Sequence, residues 1–150
     1  MKPTFVLVCG GGHTTAYLDP LIRVLSDAGY ASVAVTPRCL NSSPPATSFQ
    51  PDVEAVKEVI TDLVEKGSDV IVVMHSYGGA VGTEAVGDLV DSTPGYADKI
   101  KRLVHLTTMY PVEGQMIGDS VAGLVPMFLD TDVGFRSTRP KSSPGALAHG

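Results

Sequence analysis

Residues 70–82 read VIVVMHSYGGAVG: five apolar residues, then His75, Ser76 and Tyr77, then a glycine-rich run. A short, uninterrupted aliphatic run bounded by turn residues is the pattern of a strand buried on both faces. Gly78, Gly79, Ala80 and Gly82 let a helix start close against that strand, because small residues keep the two backbones from being held apart. A serine at such a junction sits in a strained turn. The helix N-terminus aims backbone N–H groups and the positive end of its dipole at the serine oxygen. These features describe a nucleophile elbow with Ser76 as candidate nucleophile. His75 reads as a flank of the serine and not as its base, since adjacent residues in a strand point to opposite sides. One position departs from the G-x-S-x-G pattern: it wants a small residue where this chain has Met74. A flexible methionine is tolerated there if Gly82 makes room.

Outward from this stretch, strands alternate with helices. Thr4–Cys9 reads as a buried strand and Gly10–His13 as a tight loop. Leu18, Leu21, Ile22, Leu25 and Ala28 fall at helical spacing, with Pro20 in the first turn and Gly29 as the stop. Ala31–Val35 is a second strand, followed by a Pro/Ser-rich loop. From Asp52, the residues Val53, Val56, Ile60, Leu63 and Val64 make one face of a helix that Gly67 ends. Ala80–Val90 is a third helix with Val81, Ala85, Leu89 and Val90 inward, and Leu103–Thr107 a fourth strand carrying His105 as a core histidine. The fold class expected is α/β: a parallel, doubly wound sheet of about four strands with three flanking helices.

Ligands in such sheets bind at the carboxyl ends of the strands, where Gly10–His13 and His75–Gly79 both lie. The two loops should therefore face each other. A tetrahedral intermediate needs two N–H donors. Tyr77 offers one, and the glycine loop (Gly11 or Gly12) offers the second without side-chain interference. His13 either touches substrate or is an ordinary loop histidine.

The totals narrow the class. A chain of 150 residues, 43% hydrophobic and 18% charged, reads as one globular domain, with residues 1–130 ordered and 131–150 a disordered tail. Residues 116–129 read as a short helix or lid broken at Pro126. No apolar run is long enough for a membrane span or a secretory leader, so a cytoplasmic location is the default. A net charge of −5 argues against a nucleic-acid partner. Cys9 and Cys39 stand in no metal-binding or redox spacing, and no metal is expected.

The segments KPTFVLVCGGGH, DPLIRVLSDAGY, NSSPPATSFQPDV, VIVVMHSYGGAVGTEAV and VHLTTMYPVEGQ together resemble the α/β-hydrolase superfamily. The likeness is to small esterase-type members related to methylesterases and hydroxynitrile lyases, fungal ones included, over residues 2–115. The resemblance implies a serine hydrolase acting on a small-molecule ester, with Ser76 as nucleophile, Tyr77 and Gly11 or Gly12 as oxyanion donors, a lid after the fourth strand and no cofactor. It also implies an acid and then a histidine later in the chain. Asp130, Asp132 and His149 have the right types and order, but no strand pattern near them would orient a triad. The expectation is a chain truncated before its acid and base, with the fourth strand an open edge through which it could dimerise.

Two other readings compete. Gly10-Gly11-Gly12 and Arg38 suggest an NAD(P)-binding domain, but Thr15 stands where that fingerprint needs a small residue. A hydrolase remnant could also bind a small molecule or a partner without catalysis.

Overall fold

The computed structural model describes residues 2–40, 42–44 and 46–109. The readings for residues 116–129, the tail, Asp130, Asp132 and His149 lie outside those residues.

Among the described residues, four strands form one parallel sheet: β1 (Thr4–Val8), β2 (Ser32–Val35), β3 (Val70–His75) and β4 (Ile100–Leu106), in the order β2-β1-β3-β4. β1 is central to the first three. Val8 is in register with Val35 on one side and with Met74 on the other, so these strands end level with one another. The helices among the described residues are α1 (Asp19–Asp27), α2 (Gln50–Glu65), α3 (Gly78–Ser92) and a short α4 (Tyr96–Lys99). A 3-10 turn, Thr15–Leu18, precedes α1. Both it and α4 are too short to leave a periodic signal in the sequence.

Right-handed crossovers send the chain one way from β1 to β2 and the other way from β2 through β3 to β4. This places α2 and α3 on one face and α1 on the opposite face. The burial pattern agrees. Val6, Val8, Val70, Val72 and Met74 alternate along β1 and β3 and are buried with Val53, Val56 and Ile60 of α2 and Val81, Ala85 and Leu89 of α3. Lys57 of α2 reaches Asp88 of α3 at 3.2 Å and Glu54 at 3.1 Å, tying the two helices at the rim. On the other face α1 is the one helix among the described residues, and it buries no residue completely.

Two readings need correction. Val90 is 37% exposed; residues 81, 85, 86 and 89 share the buried face of α3, and Val90 lies about 100° round the helix from Leu89. His105 is half-buried, with its Nδ1 3.1 Å from the Thr108 hydroxyl. β4 holds it at the margin of the sheet: among the described residues β4 pairs only with β3, and its Leu103 and Leu106 are exposed. No helix among the described residues is long and apolar enough to cross a membrane.

Candidate active site

The end of β3 is tightly constrained. Ser76 has a φ of 51°, in the left-handed region that side chains other than glycine avoid. Three backbone hydrogen bonds hold it there. Its N–H donates to Leu106 O at 3.3 Å, and its carbonyl accepts from Gly79 N at 3.0 Å and Met109 N at 3.1 Å. The elbow is thus pinned both to the start of α3 and to the end of β4. Thr107, beside it, also has a positive φ, 46°, which is unusual for a β-branched residue.

The glycines explain how helix and strand approach so closely. A Cβ on Gly78 would stand 2.6 Å from Cys9 O and 2.7 Å from Val8 O, both backbone atoms of the neighbouring strand and its exit. A Cβ on Gly79 would overlap the Thr108 side chain. The space that Met74 needs is supplied by Gly82, whose added Cβ would lie 2.6 Å from the Met74 sulfur.

The glycine loop after β1 folds against this elbow. A Cβ on Gly10 would meet Ser76 Cβ at 3.2 Å and the Nδ1 atoms of His13 and His75 at 3.1 Å each. Gly11 packs beside Tyr77, at 3.4 Å from its Cβ by the same construction, and Gly12 takes a φ of 74° that favours glycine. The structure thus brings Ser76, Tyr77, Gly10, Gly11 and His13 together, while a Cβ on Gly12 would meet nothing within 4 Å. Among the described residues, the N–H groups of Tyr77, Gly11 and Gly12 donate to no carbonyl or side chain. His13 is stacked between Tyr17 (centroids 4.3 Å) and His75 (5.7 Å), a three-ring column beside the loop. His75 therefore packs sideways onto His13.

The glycine loop does not run straight into a helix N-terminus, as a dinucleotide cradle must. The 3-10 turn intervenes, and α1 begins only at Asp19. Nor does any group of three or more His, Cys, Asp or Glu residues converge as metal ligands among the described residues. Among those residues, no His, Asp or Glu hydrogen-bonds the Ser76 hydroxyl.

One participant was not legible in the sequence. Asp52, in the first turn of α2, is 4% exposed. Its Oδ1 accepts from the backbone N–H groups of Arg38 (2.5 Å) and Cys39 (2.8 Å), and its Oδ2 accepts from the Tyr77 hydroxyl at 2.8 Å. Burial first, and the Asp52 carboxylate second, push the Tyr77 hydroxyl well above its ordinary pKa. A small apolar cleft runs between Val8, Val35, Val56, Tyr77 and Val81, with Asp52 on its wall. An aspartate opening a helix is an ordinary sequence feature, and only the fold shows that it turns inward.

Comparison with known proteins places this geometry in context. A family model described as "Alpha/beta hydrolase family" matches residues 5–149. The chain is 31% identical over 124 residues to the alpha/beta hydrolase nvfD of Aspergillus novofumigatus, covering 82% of this chain and 48% of that protein. It is 30% identical over 124 residues to the probable hydrolase R7 of a Phoma species, covering 81% of this chain and 49% of that one. Among solved structures, tomato methylketone synthase I superposes with a TM-score of 0.66 at 19% identity, over 87% of this chain and 50% of that chain. Polyneuridine aldehyde esterase does so with a TM-score of 0.64 at 22% identity, over 84% and 48%. At those identities the structural likeness speaks for the fold. The chain spans about half the length of the relatives it matches.

Proposed function

The chain belongs to the alpha/beta hydrolase family, and from that premise we propose that it carries the nucleophile and oxyanion half of a serine hydrolase acting on a small-molecule carboxylic ester. Ser76 is the nucleophile, attacking the ester carbonyl carbon. The carbonyl oxygen, negative in the tetrahedral intermediate, is received by the N–H of Tyr77 and by that of Gly11 or Gly12. Such donors typically lower the barrier by about 3 kcal/mol each. His13 closes the same loop at the edge of the substrate's approach. The acid and base that would take the Ser76 proton belong outside the described residues.

The observation that carries this reading is the φ of 51° at Ser76, held by hydrogen bonds from both sides at the end of β3. A strained non-glycine residue in such a place is a feature of sites that do chemistry. The polyneuridine aldehyde esterase likeness supports ester chemistry by analogy of fold.

The test is covalent. The folded chain is treated with a fluorophosphonate, and intact mass counts the adducts, with Ser76→Ala as control. One adduct, absent from the variant, is the expected result. No adduct on a folded sample would overturn the reading of Ser76 as an activated nucleophile and leave a hydrolase remnant or a binding protein.

A further inference from the structure

We infer that Asp52 is a positioning residue for the oxyanion hole: it grips the Tyr77 side chain by its hydroxyl and so steadies both the Tyr77 peptide and the Gly11 loop packed against that side chain. The inference rests on the reading of Ser76 as nucleophile.

A carboxylate 4% exposed is tolerated only with its oxygens satisfied. Asp52 meets this with three donors, and their origins matter. Arg38 N and Cys39 N belong to the loop leaving β2, at the edge of the sheet. The Tyr77 hydroxyl belongs to the residue directly after the nucleophile. The carboxylate itself sits on α2. One side chain therefore joins three separate segments and ends on the elbow.

The ring it holds touches both halves of the hole. Tyr77 supplies one donor from its own backbone. Gly11 lies against the same residue, at 3.4 Å from its Cβ and 3.6 Å from its Cγ for a Cβ built on the glycine. If the ring swings, the Tyr77 peptide and the glycine loop lose their common support. Catalytic geometry is sensitive on this scale: a misplacement of about 1 Å can lower a rate on the order of a hundredfold. A hydroxyl remote from the reacting atoms thereby acts on them through the backbone.

The variants are Tyr77→Phe, Asp52→Ala and Asp52→Asn. The amide of the last can still accept from the loop and donate to the Tyr77 oxygen. Two quantities are read on the full chain, corrected for folded fraction by circular dichroism. One is fluorophosphonate labelling of Ser76, split into probe affinity and maximal rate. The other is amide hydrogen exchange at Gly11 and Tyr77. Tyr77→Phe and Asp52→Ala should each lower the maximal labelling rate about tenfold or more at nearly unchanged probe affinity, and speed exchange at both amides. Asp52→Asn should recover part of both. Wild-type labelling rates and exchange in Tyr77→Phe would overturn the inference. If Ser76 labels in no form, wild type included, the nucleophile reading falls, and exchange alone decides the rest. Faster exchange in Tyr77→Phe keeps the grip of Asp52 on the loop, and unchanged exchange removes it.

Discussion

Met74 and Gly82 share one space. A Cβ on Gly82 would stand 2.6 Å from the Met74 sulfur and 2.7 Å from its Cγ, while Met74 itself is fully buried. The bulk that the elbow pattern excludes two residues before the serine is accommodated six residues after it, on the second turn of α3. Gly82→Ala should therefore destabilise the fold by about 1–3 kcal/mol, the usual effect of overpacking. Met74→Ala alone should cost about 2–5 kcal/mol through the cavity it opens. The double variant should be less destabilised than the sum, by about 1 kcal/mol or more, because each change relieves the other. Urea denaturation of the four proteins measures this, and strict additivity would mean that Met74 moves aside freely.

Gly78 has no such flexible neighbour. Its added Cβ would run into the carbonyl oxygens of Val8 and Cys9, which belong to backbone and cannot rotate away. Gly78→Ala should push α3 off the sheet at the elbow and lower stability by about 3 kcal/mol, whereas Gly87→Ala, inside the same helix and with a Cβ that would meet nothing within 4 Å, should gain about 0.5–1 kcal/mol. Thermal melts of the pair test it; equal losses would contradict the close approach.

Much of this was readable beforehand, and the reasons are physical. Val70–Met74 reads as a buried strand because the aliphatic run is short, rich in β-branched residues and bounded by turn residues, and Gly78–Gly79 as a close approach because small residues let backbones meet. Even the Met74–Gly82 pairing followed from volume alone. Asp52 did not follow. Its sequence neighbourhood, Gln50-Pro51-Asp52, signals only the start of a helix, and its partners Arg38, Cys39 and Tyr77 are brought to it by the sheet order. The outward turn of Val90 was missed because a valine one place past a buried leucine looks apolar in any window; only the helix phase separates them.

Asp52 also couples the site to alkaline pH. Burial is the main cause raising the pKa of Tyr77 above its ordinary 10.0, with the Asp52 hydrogen bond next. Burial likewise raises Cys9 and Cys39 above 9.0, with the Asp52 charge adding to both. A raised folded pKa means that the folded chain holds its proton longer than the unfolded chain does. The associated stability is complete below the unfolded value and is lost as pH climbs above it toward the folded one. Stability should thus fall from about pH 9 upward, and more steeply above about pH 10, where tyrosine joins in. Tyr77→Phe should start lower at neutral pH by about 1 kcal/mol, for the lost hydrogen bond, yet show a shallower fall above about pH 10. Guanidinium denaturation at a series of pH values reads both. Parallel curves would mean that Tyr77 ionises as readily folded as unfolded.

The left-handed backbone at Ser76 makes the last prediction one of opposed effects. The conformation at φ 51° is disfavoured for serine by about 1–2 kcal/mol and is nearly free for glycine. Against that, glycine loses more entropy on folding, by roughly 0.5–1 kcal/mol. The difference leaves Ser76→Gly more stable than Ser76→Ala by about 1 kcal/mol, since alanine keeps the strain while losing the hydroxyl. Both variants should be dead to a fluorophosphonate, so stability and reactivity would move apart at one residue. Thr107 offers a control at φ 46° that supplies no attacking atom: Thr107→Gly should gain at least as much stability, because a β-branched side chain tolerates this region less than serine does. Denaturation midpoints of the three variants decide it. Should Ser76→Gly prove no more stable than Ser76→Ala, the elbow would hold its shape without stored strain, and the positive φ would cease to be evidence for chemistry at Ser76.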